Sequence, residues 1–323
     1  MDLQELGGLH HLTAVTGHAA ANLDFYTQTL GLRLVKKTVN QDDVSAYHLF
    51  YADAVGSPGT EVTFFDWAWA SPNRAGTGTV AETALRVPGR AALAAWAERL
   101  AELGVDADPI VEHAGRASLP FVDPEGQRLR LVDDGGAAGG HPWDGSPVPP
   151  EEQIRGLAAV TLAVERPEST ARVLTDVLGF RFEGEAATDA GERVGVYAVG
   201  PGGPGAEVWL STGSASGPGR GGIGGVHHVA FRAPDDAAHH AWRERIAAAG
   251  LGVTPVIDRF YFRSIYFREP GGILFEIATD GPGFATDEAM DALGERLALP
   301  PFLEPRRAEI EAGLTPLPAP VGR

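Results

Sequence analysis

Two histidine doublets stand out for the chemistry they could do: His10–His11 in GGLHHLTAV (residues 7–15) and His227–His228 in GGVHHVAFR (residues 224–232). Each opens an apolar, β-rich run. Side chains alternate across a strand, so each doublet should turn one imidazole inward. A carboxylate, Glu276 in ILFEIAT, completes the set. Two imidazoles and one carboxylate can hold one face of an octahedral iron(II) and leave the opposite positions for substrate and dioxygen. Such nitrogen and oxygen donors suit Fe(II) or Mn(II), and Zn(II) would also bind. Cysteine is absent, which excludes disulfides, zinc–thiolate sites and cysteine nucleophiles.

Elements that bring such distant residues together must come from the chain's organisation. At 323 residues the chain is long for a single core, so two domains or an internal duplication is expected. Its formal charge of −17 lacks the basic footprint that nucleic acid or anionic lipid requires. No apolar run is long enough to span a bilayer, and the opening MDLQELGG lacks the basic and apolar regions of a signal peptide. A cytoplasmic protein is the expectation.

Internal repeats set the architecture. ETALRVPGRAALAAWAERLAELGVDADPI from Glu82 matches HVAFRAPDDAAHHAWRERIAAAGLGVTPV from His228, with Trp96 and Trp242 at the same place. Each reads as a strand, a Pro and an Ala-rich helix that stops near a Gly. Downstream, SLPFVDPEGQRLRLVDD matches SIYFREPGGILFEIATD, two strands around a tight turn. GGLHHLTAVTGHAAANLDFYTQTLGLRLVKK from Gly7 likewise matches RGLAAVTLAVERPESTARVLTDVLGFRFEGE from Arg155. The chain therefore reads as an α+β protein of four βαβββ modules, at 8–70, 78–135, 155–212 and 224–280. Residues 1–135 and 154–282 form its two halves, with a Gly/Pro-rich linker at 136–153 and a C-terminal helix and Pro-rich tail at 283–323. A shorter polar stretch, STGSASGPGRGG from Ser211, joins the last two modules.

Comparing the modules gives the histidines a purpose. His11 corresponds to Ala159, His228 to Glu82 and Glu276 to Arg130. Where one module has His and Glu to share a metal, its sister has Glu and Arg, which can neutralise each other as a buried ion pair. Aligning the turn prolines puts Phe64 and Leu210 where Glu276 sits, and an apolar residue cannot coordinate. Asp66, two residues on, could face the same way.

These modules, with LHHLTAV, VHHVAF and SIYFREPGGILFEIATD, resemble the vicinal oxygen chelate superfamily of glyoxalases, bleomycin-resistance proteins and type I extradiol dioxygenases. The four-module length and DRFYFRSIYFREPGG most resemble its hydroquinone ring-cleaving branch, over about residues 7 to 282. The resemblance implies two open-barrel domains of cupped sheet, with modules one and four paired around the metal. It implies an Fe(II)-dependent dioxygenase acting on a small aromatic, hydroquinone-type or catechol-type substrate with O2. By position, His10, Thr13, His227, Arg259 and Tyr266 match the branch's second-sphere and substrate-contacting residues. A hydroquinone should ligate through one oxygen, so its far hydroxyl needs a protein partner. His10 or His227 is expected as acid/base, with Tyr266 and Arg259 orienting the ring.

Two other functions fit the fold: a glyoxalase-like isomerase or thiol transferase, which needs a further metal ligand, and a metal-free drug-binding protein, which needs no triad. The helix doublet His239–His240 reads as a solvated face, while His18, His48, His113 and His141 have no assigned role. TDEAMDALGERLALP reads as a short amphipathic helix with a Thr/Asp cap. It would cover a module or a subunit contact, the latter in a homo-oligomer.

Overall fold

The computed structural model describes residues 4–212 and 217–318. Part of the STGSASGPGRGG joint thus lies outside the described residues. Module one contains β1 (Leu9–Thr16), α1 (Ala19–Asp24), β2 (Arg33–Asn40), β3 (Asp43–Ala52) and β4 (Glu61–Asp66). Module two contains β5 (Thr79–Val87), α2 (Arg90–Glu102), β6 (Val111–His113), β7 (Arg116–Val122) and β8 (Arg128–Asp133). Module three contains β9 (Leu157–Ala163), α3 (Pro167–Arg172), β10 (Arg181–Ala187), β11 (Arg193–Ala198) and β12 (Glu207–Ser211). Module four contains β13 (Gly225–Ala233), α4 (Asp236–Ala248), β14 (Ile257–Asp258), β15 (Arg263–Arg268) and β16 (Leu274–Thr279). The α+β reading holds.

The modules pair crosswise into two eight-stranded, open half-barrel sheets. One runs β14-β15-β16-β13-β1-β4-β3-β2 and joins modules four and one; the other runs β10-β11-β12-β9-β5-β8-β7-β6 and joins three and two. In each sheet the first strands of the two modules meet antiparallel at the centre, β1 with β13 and β5 with β9. β1 and β9 are buried on both faces along their whole length, which accounts for the apolar LAAVTLA of β9. Helices cover one face, and Trp96 and Trp242 anchor α2 and α4 into the core at equivalent places. Each such buried side chain contributes roughly 1.5–3 kcal/mol.

The 136–153 segment has no regular element but is fastened by hydrogen bonds. His141 N donates to Asp53 Oδ2 (3.0 Å), Ser146 Oγ to Gly31 O (2.8 Å) and Trp96 Nε1 to Glu152 O (2.7 Å). The tail departs from expectation. TDEAMDALGERLALP follows a short turn at Phe284–Thr286 and contains one more, at Met290–Ala292. Gly294 sits at φ 75°, where a Cβ would fall 2.0 Å from the Leu34 carbonyl oxygen, so the chain turns instead of continuing as a helix. The helix lies later, at α5 (Arg307–Gly313), inside the Pro-rich stretch. The tail covers module one: Ala298 N donates to Lys37 O, and Leu303, Ile310 and Leu314 join the core. No helix among the described residues is long and apolar enough to cross a membrane.

The second sheet contains the expected ion pair. Arg130 Nε and Nη2 donate to Glu82 Oε1 and Oε2 at 2.7 and 3.1 Å, both residues buried, and Asp189 and Ser118 accept two further bonds. A guanidinium thus occupies the centre of the sheet that lacks the histidines. Replacing Glu82 by Ala leaves that charge short of a partner, so E82A should lower unfolding stability by about 3 kcal/mol. Urea denaturation checks this; an unchanged midpoint would contradict it.

Candidate metal centre

In the first sheet, β1 and β13 pair with Leu12 opposite Val229 and Thr13 opposite His228, but the register slips twice. His10 is the extra residue of one slip and His227 of the other. Each doublet therefore carries a β-bulge at its first histidine, a device that re-aims side chains beside active sites. The same slips occur in the second sheet at Ala81 and Ala158, so they belong to the fold and not to the histidines.

The bulged seam brings the three distant residues together. His11 Nε2 and His228 Nε2 lie 3.4 Å apart, and Glu276 Oε2 lies 3.3 Å from the first and 2.9 Å from the second. All three are buried, and Glu276 has no exposure. Neither carboxylate oxygen makes a hydrogen bond despite those short distances. Three atoms bonded at roughly 2.1 Å to one ion lie about 3.0 Å apart at right angles and about 3.4 Å apart at the tetrahedral angle. The observed spacings of 2.9, 3.3 and 3.4 Å lie within about 0.1 Å of that range, so the donor set fits a single cation. Burial alone would raise the Glu276 carboxyl, but His11 and His228 outweigh it and hold it well below the usual carboxylate range.

Behind each inward imidazole stands its doublet partner. His11 Nδ1 lies 2.9 Å from His10 Nδ1, and His228 Nδ1 lies 2.8 Å from His227 Nδ1. His10 Nε2 faces the Thr279 carbonyl at 3.1 Å, so that nitrogen is the donor and Nδ1 can accept. His11 then carries its proton on Nδ1 and presents the Nε2 lone pair to the metal position. Partial desolvation of its otherwise exposed side chain, together with His228 beside it, holds His227 below the usual imidazole range, and in its neutral form it too can accept. His227, and His10 in its neutral form, thus fix the ligand tautomers, whereas a protonated His10 donates its Nδ1–H to Glu61 and no longer accepts from His11. Burial opposes a charge on His10, yet Glu61, 3.0 Å from its Nδ1, prevails and raises it. His10, His11 and Glu61 also bring donor atoms within 4.8 Å of one another. That grouping would use up the Nδ1 contact, and neither His10 nor Glu61 lines the cavity described next.

The inward imidazoles open into a cavity lined by Phe50, Phe65, Phe262, Tyr261, Tyr266 and His48, with Gln41, Asp42 and Arg259 also in its wall. Arg259 donates to Asp42 Oδ2 (2.9 Å), and Gln41 Nε2 donates to the Arg259 carbonyl (2.8 Å). The cavity holds about 40 Å³, room for about three waters. A benzene ring enters only if side chains shift. Tyr266, opposite Glu276 on the neighbouring strand, is raised by burial and by that carboxylate and stays protonated. Arg259 sits 5.5 Å from the Tyr266 ring centroid. Phe260, beside it, adopts φ 73° with its N–H on Asp258 Oδ1, a strained backbone at the cavity wall. Tyr261 is held by the tail: its hydroxyl donates to Asp287, which with Glu288 also binds the buried Lys36.

Several expectations need correction. His10 and His227 do not line this cavity, and each faces a ligand's far nitrogen; His227 borders a second hollow with Trp67, Trp69 and Arg268. Thr13 is also buried outside it, its hydroxyl 2.8 Å from that of Thr63. By strand pairing the counterpart of Glu276 is Thr63, since Thr13 faces Thr63 as Ala230 faces Glu276. Phe64 packs on Tyr26 in the core, and Asp66 alternates to that same side, away from the metal position. His239 is buried, its Nε2 donating to Ile277 O (3.0 Å), and only His240 is solvated. The residue missed is His48. It lies in the cavity wall with Nε2 2.9 Å from Thr63 Oγ1 and its ring between Phe50 and Phe65, at 4.0 and 4.4 Å.

Comparison with known proteins agrees with this architecture. The family model described as "Glyoxalase/Bleomycin resistance protein/Dioxygenase superfamily" matches residues 8–131 and 156–277. "Putative ring-cleaving dioxygenase MhqA" of Bacillus subtilis (strain 168) is 46% identical over 97% of this chain and 99% of its own length. "Chlorohydroquinone/hydroquinone 1,2-dioxygenase" of Sphingobium indicum is 32% identical over 95% of each chain. A crystal structure of a "putative dioxygenase" from Bacillus subtilis superposes with a TM-score of 0.87 at 42% identity, covering 98% of each chain.

Because His10 and His227 act through the ligands, His10→Phe and His227→Phe should each weaken metal affinity roughly 10–100-fold while leaving the three donors in place. Competition against a chelator measures this. Affinity unchanged in both variants would contradict the tautomer assignment.

Proposed function

This chain belongs to the Glyoxalase/Bleomycin resistance protein/Dioxygenase superfamily, and we propose that it is a ring-cleaving dioxygenase that holds iron(II) on His11, His228 and Glu276 and inserts O2 into a hydroquinone-type ring. The observation that carries the reading is the convergence of three buried donors on one point at the base of an aromatic-walled cavity. The relatives named as ring-cleaving dioxygenases, alike over nearly the whole chain, support the reaction class. Iron(II), when bound there, supplies redox exchange with dioxygen and a Lewis-acid site for a phenolate oxygen.

The chain's own residues do the remaining work. Phe50, Phe65 and Phe262 bound an apolar slot that takes a flat ring once side chains move apart. Tyr266, kept protonated, donates a hydrogen bond to the substrate oxygen nearest Glu276. Arg259 supplies a fixed positive charge to an ionised ring and, tied to Asp42 and Gln41, links entry to the cavity wall. A dihydroxy ring with its oxygens on opposite carbons reaches the metal through one of them. The isomerase alternative calls for a further carboxylate ligand; its place holds Thr63, whose hydroxyl is already paired twice.

Loading the protein with iron(II) without oxygen and then presenting hydroquinones at an oxygen electrode tests the reading. One O2 should disappear per ring opened, and Glu276→Gln should lower kcat/KM by roughly 10³-fold or more. Turnover of a thiohemiacetal without oxygen, and none of any hydroquinone, would overturn it.

A further inference from the structure

We infer that His48 is a catalytic residue: the base that takes, and later returns, the proton of the substrate hydroxyl that is not on the metal, held in place by Thr63 and Thr13. The inference rests on the ring-cleavage reading above. A ring that ligates through one oxygen carries a second hydroxyl away from the triad, and that proton must go to a group in the cavity wall. His11 and His228 are used as ligands. Tyr266 and Tyr261 are kept protonated by burial and nearby carboxylates. Asp42 is largely exposed and paired with Arg259. His48 is the imidazole left in that wall.

Its surroundings are built to hold one orientation. Phe50 and Phe65 clamp the ring from β3 and β4. Nε2 meets Thr63 Oγ1 at 2.9 Å, and Thr63 Oγ1 meets Thr13 Oγ1 at 2.8 Å, a short chain of hydroxyls across three strands. With Nε2 so engaged, Nδ1 has no partner among the described residues. Burial, reinforced by His11, His228 and Arg259, holds the ring neutral. A neutral ring whose Nε2–H donates to Thr63 offers a lone pair at Nδ1. In the step proposed, the hydroxyl O–H bond breaks, an N–H bond forms at Nδ1, and the electron pair stays on the substrate oxygen. The reverse transfer restores neutral His48 once the ring has opened.

Two readouts test this on the full chain. The first needs no turnover: a nitro-substituted hydroquinone, whose visible band marks ionisation, is bound without oxygen to the zinc-loaded protein. The second ionisation of the ring should appear at lower pH in wild type than in His48→Gln. The second is kcat with iron(II). H48Q should lose roughly 10²–10³-fold on hydroquinone, with KM little changed. It should lose much less on a ring whose free hydroxyl is acidified by flanking chlorines, because such a ring needs no base. Thr63→Val, which keeps His48 but frees its Nε2, should lose about 10-fold. A second ionisation at the same pH in both proteins, or equal losses on both rings, would overturn the role of His48 while leaving ring cleavage intact. A wild-type enzyme inert toward every hydroquinone would overturn the ring-cleavage reading and this role with it.

Discussion

A carboxylate with no exposure cannot draw on water for its charge, and Glu276 sits in that position with two imidazole nitrogens about 3 Å away. Burial of this kind is costly unless opposite charge is held close. Two neutral imidazoles alone leave both oxygens without a hydrogen bond; a divalent cation at their common point satisfies all three donors. The rest of the sheet can be read as the means of enforcing that arrangement. The seam between β1 and β13 sets the spacing, bulges at His10 and His227 set the ring orientations, and Phe262 packs on His11 at 5.2 Å between centroids.

The duplicated sheet provides an internal control. It keeps the seam and both bulges, yet His228 is replaced by Glu82 and Glu276 by Arg130, whose guanidinium lies against Glu82 in the sheet interior. One sheet balances its buried acid with an internal cation supplied by a side chain. Its twin has His228 and Glu276 at the corresponding positions, which together with His11 can share an ion from outside. The same backbone thus serves stability in one half and chemistry in the other.

What was legible in the sequence followed from that duplication. The triad could be found because its sister positions change type together, and the two half-barrels because helix stops and turn signals recur. Less legible were features decided by register or by several strands at once. Turn prolines placed Phe64 opposite Glu276, but strand pairing shifts the match by one residue to Thr63, and one residue moves a side chain to the other face. His48 carries no local signal: its partners come from β1, β3 and β4. His239 and His240 looked alike in the sequence, although adjacent helix positions differ by about 100° in direction, and one faces the sheet. The tail pattern suited a helix until Lys36 drew Asp287 and Glu288 inward and Gly294 met Leu34.

The most direct measurement of the central claim is anomalous scattering from crystals of the iron-loaded protein. The account predicts one ion bonded at about 2.1 Å to Nε2 of His11, Nε2 of His228 and a carboxylate oxygen of Glu276, with the Nδ1 contacts to His10 and His227 retained. An ion seated instead among His10, His11 and Glu61, or a fully loaded protein with nothing at the seam, would contradict it.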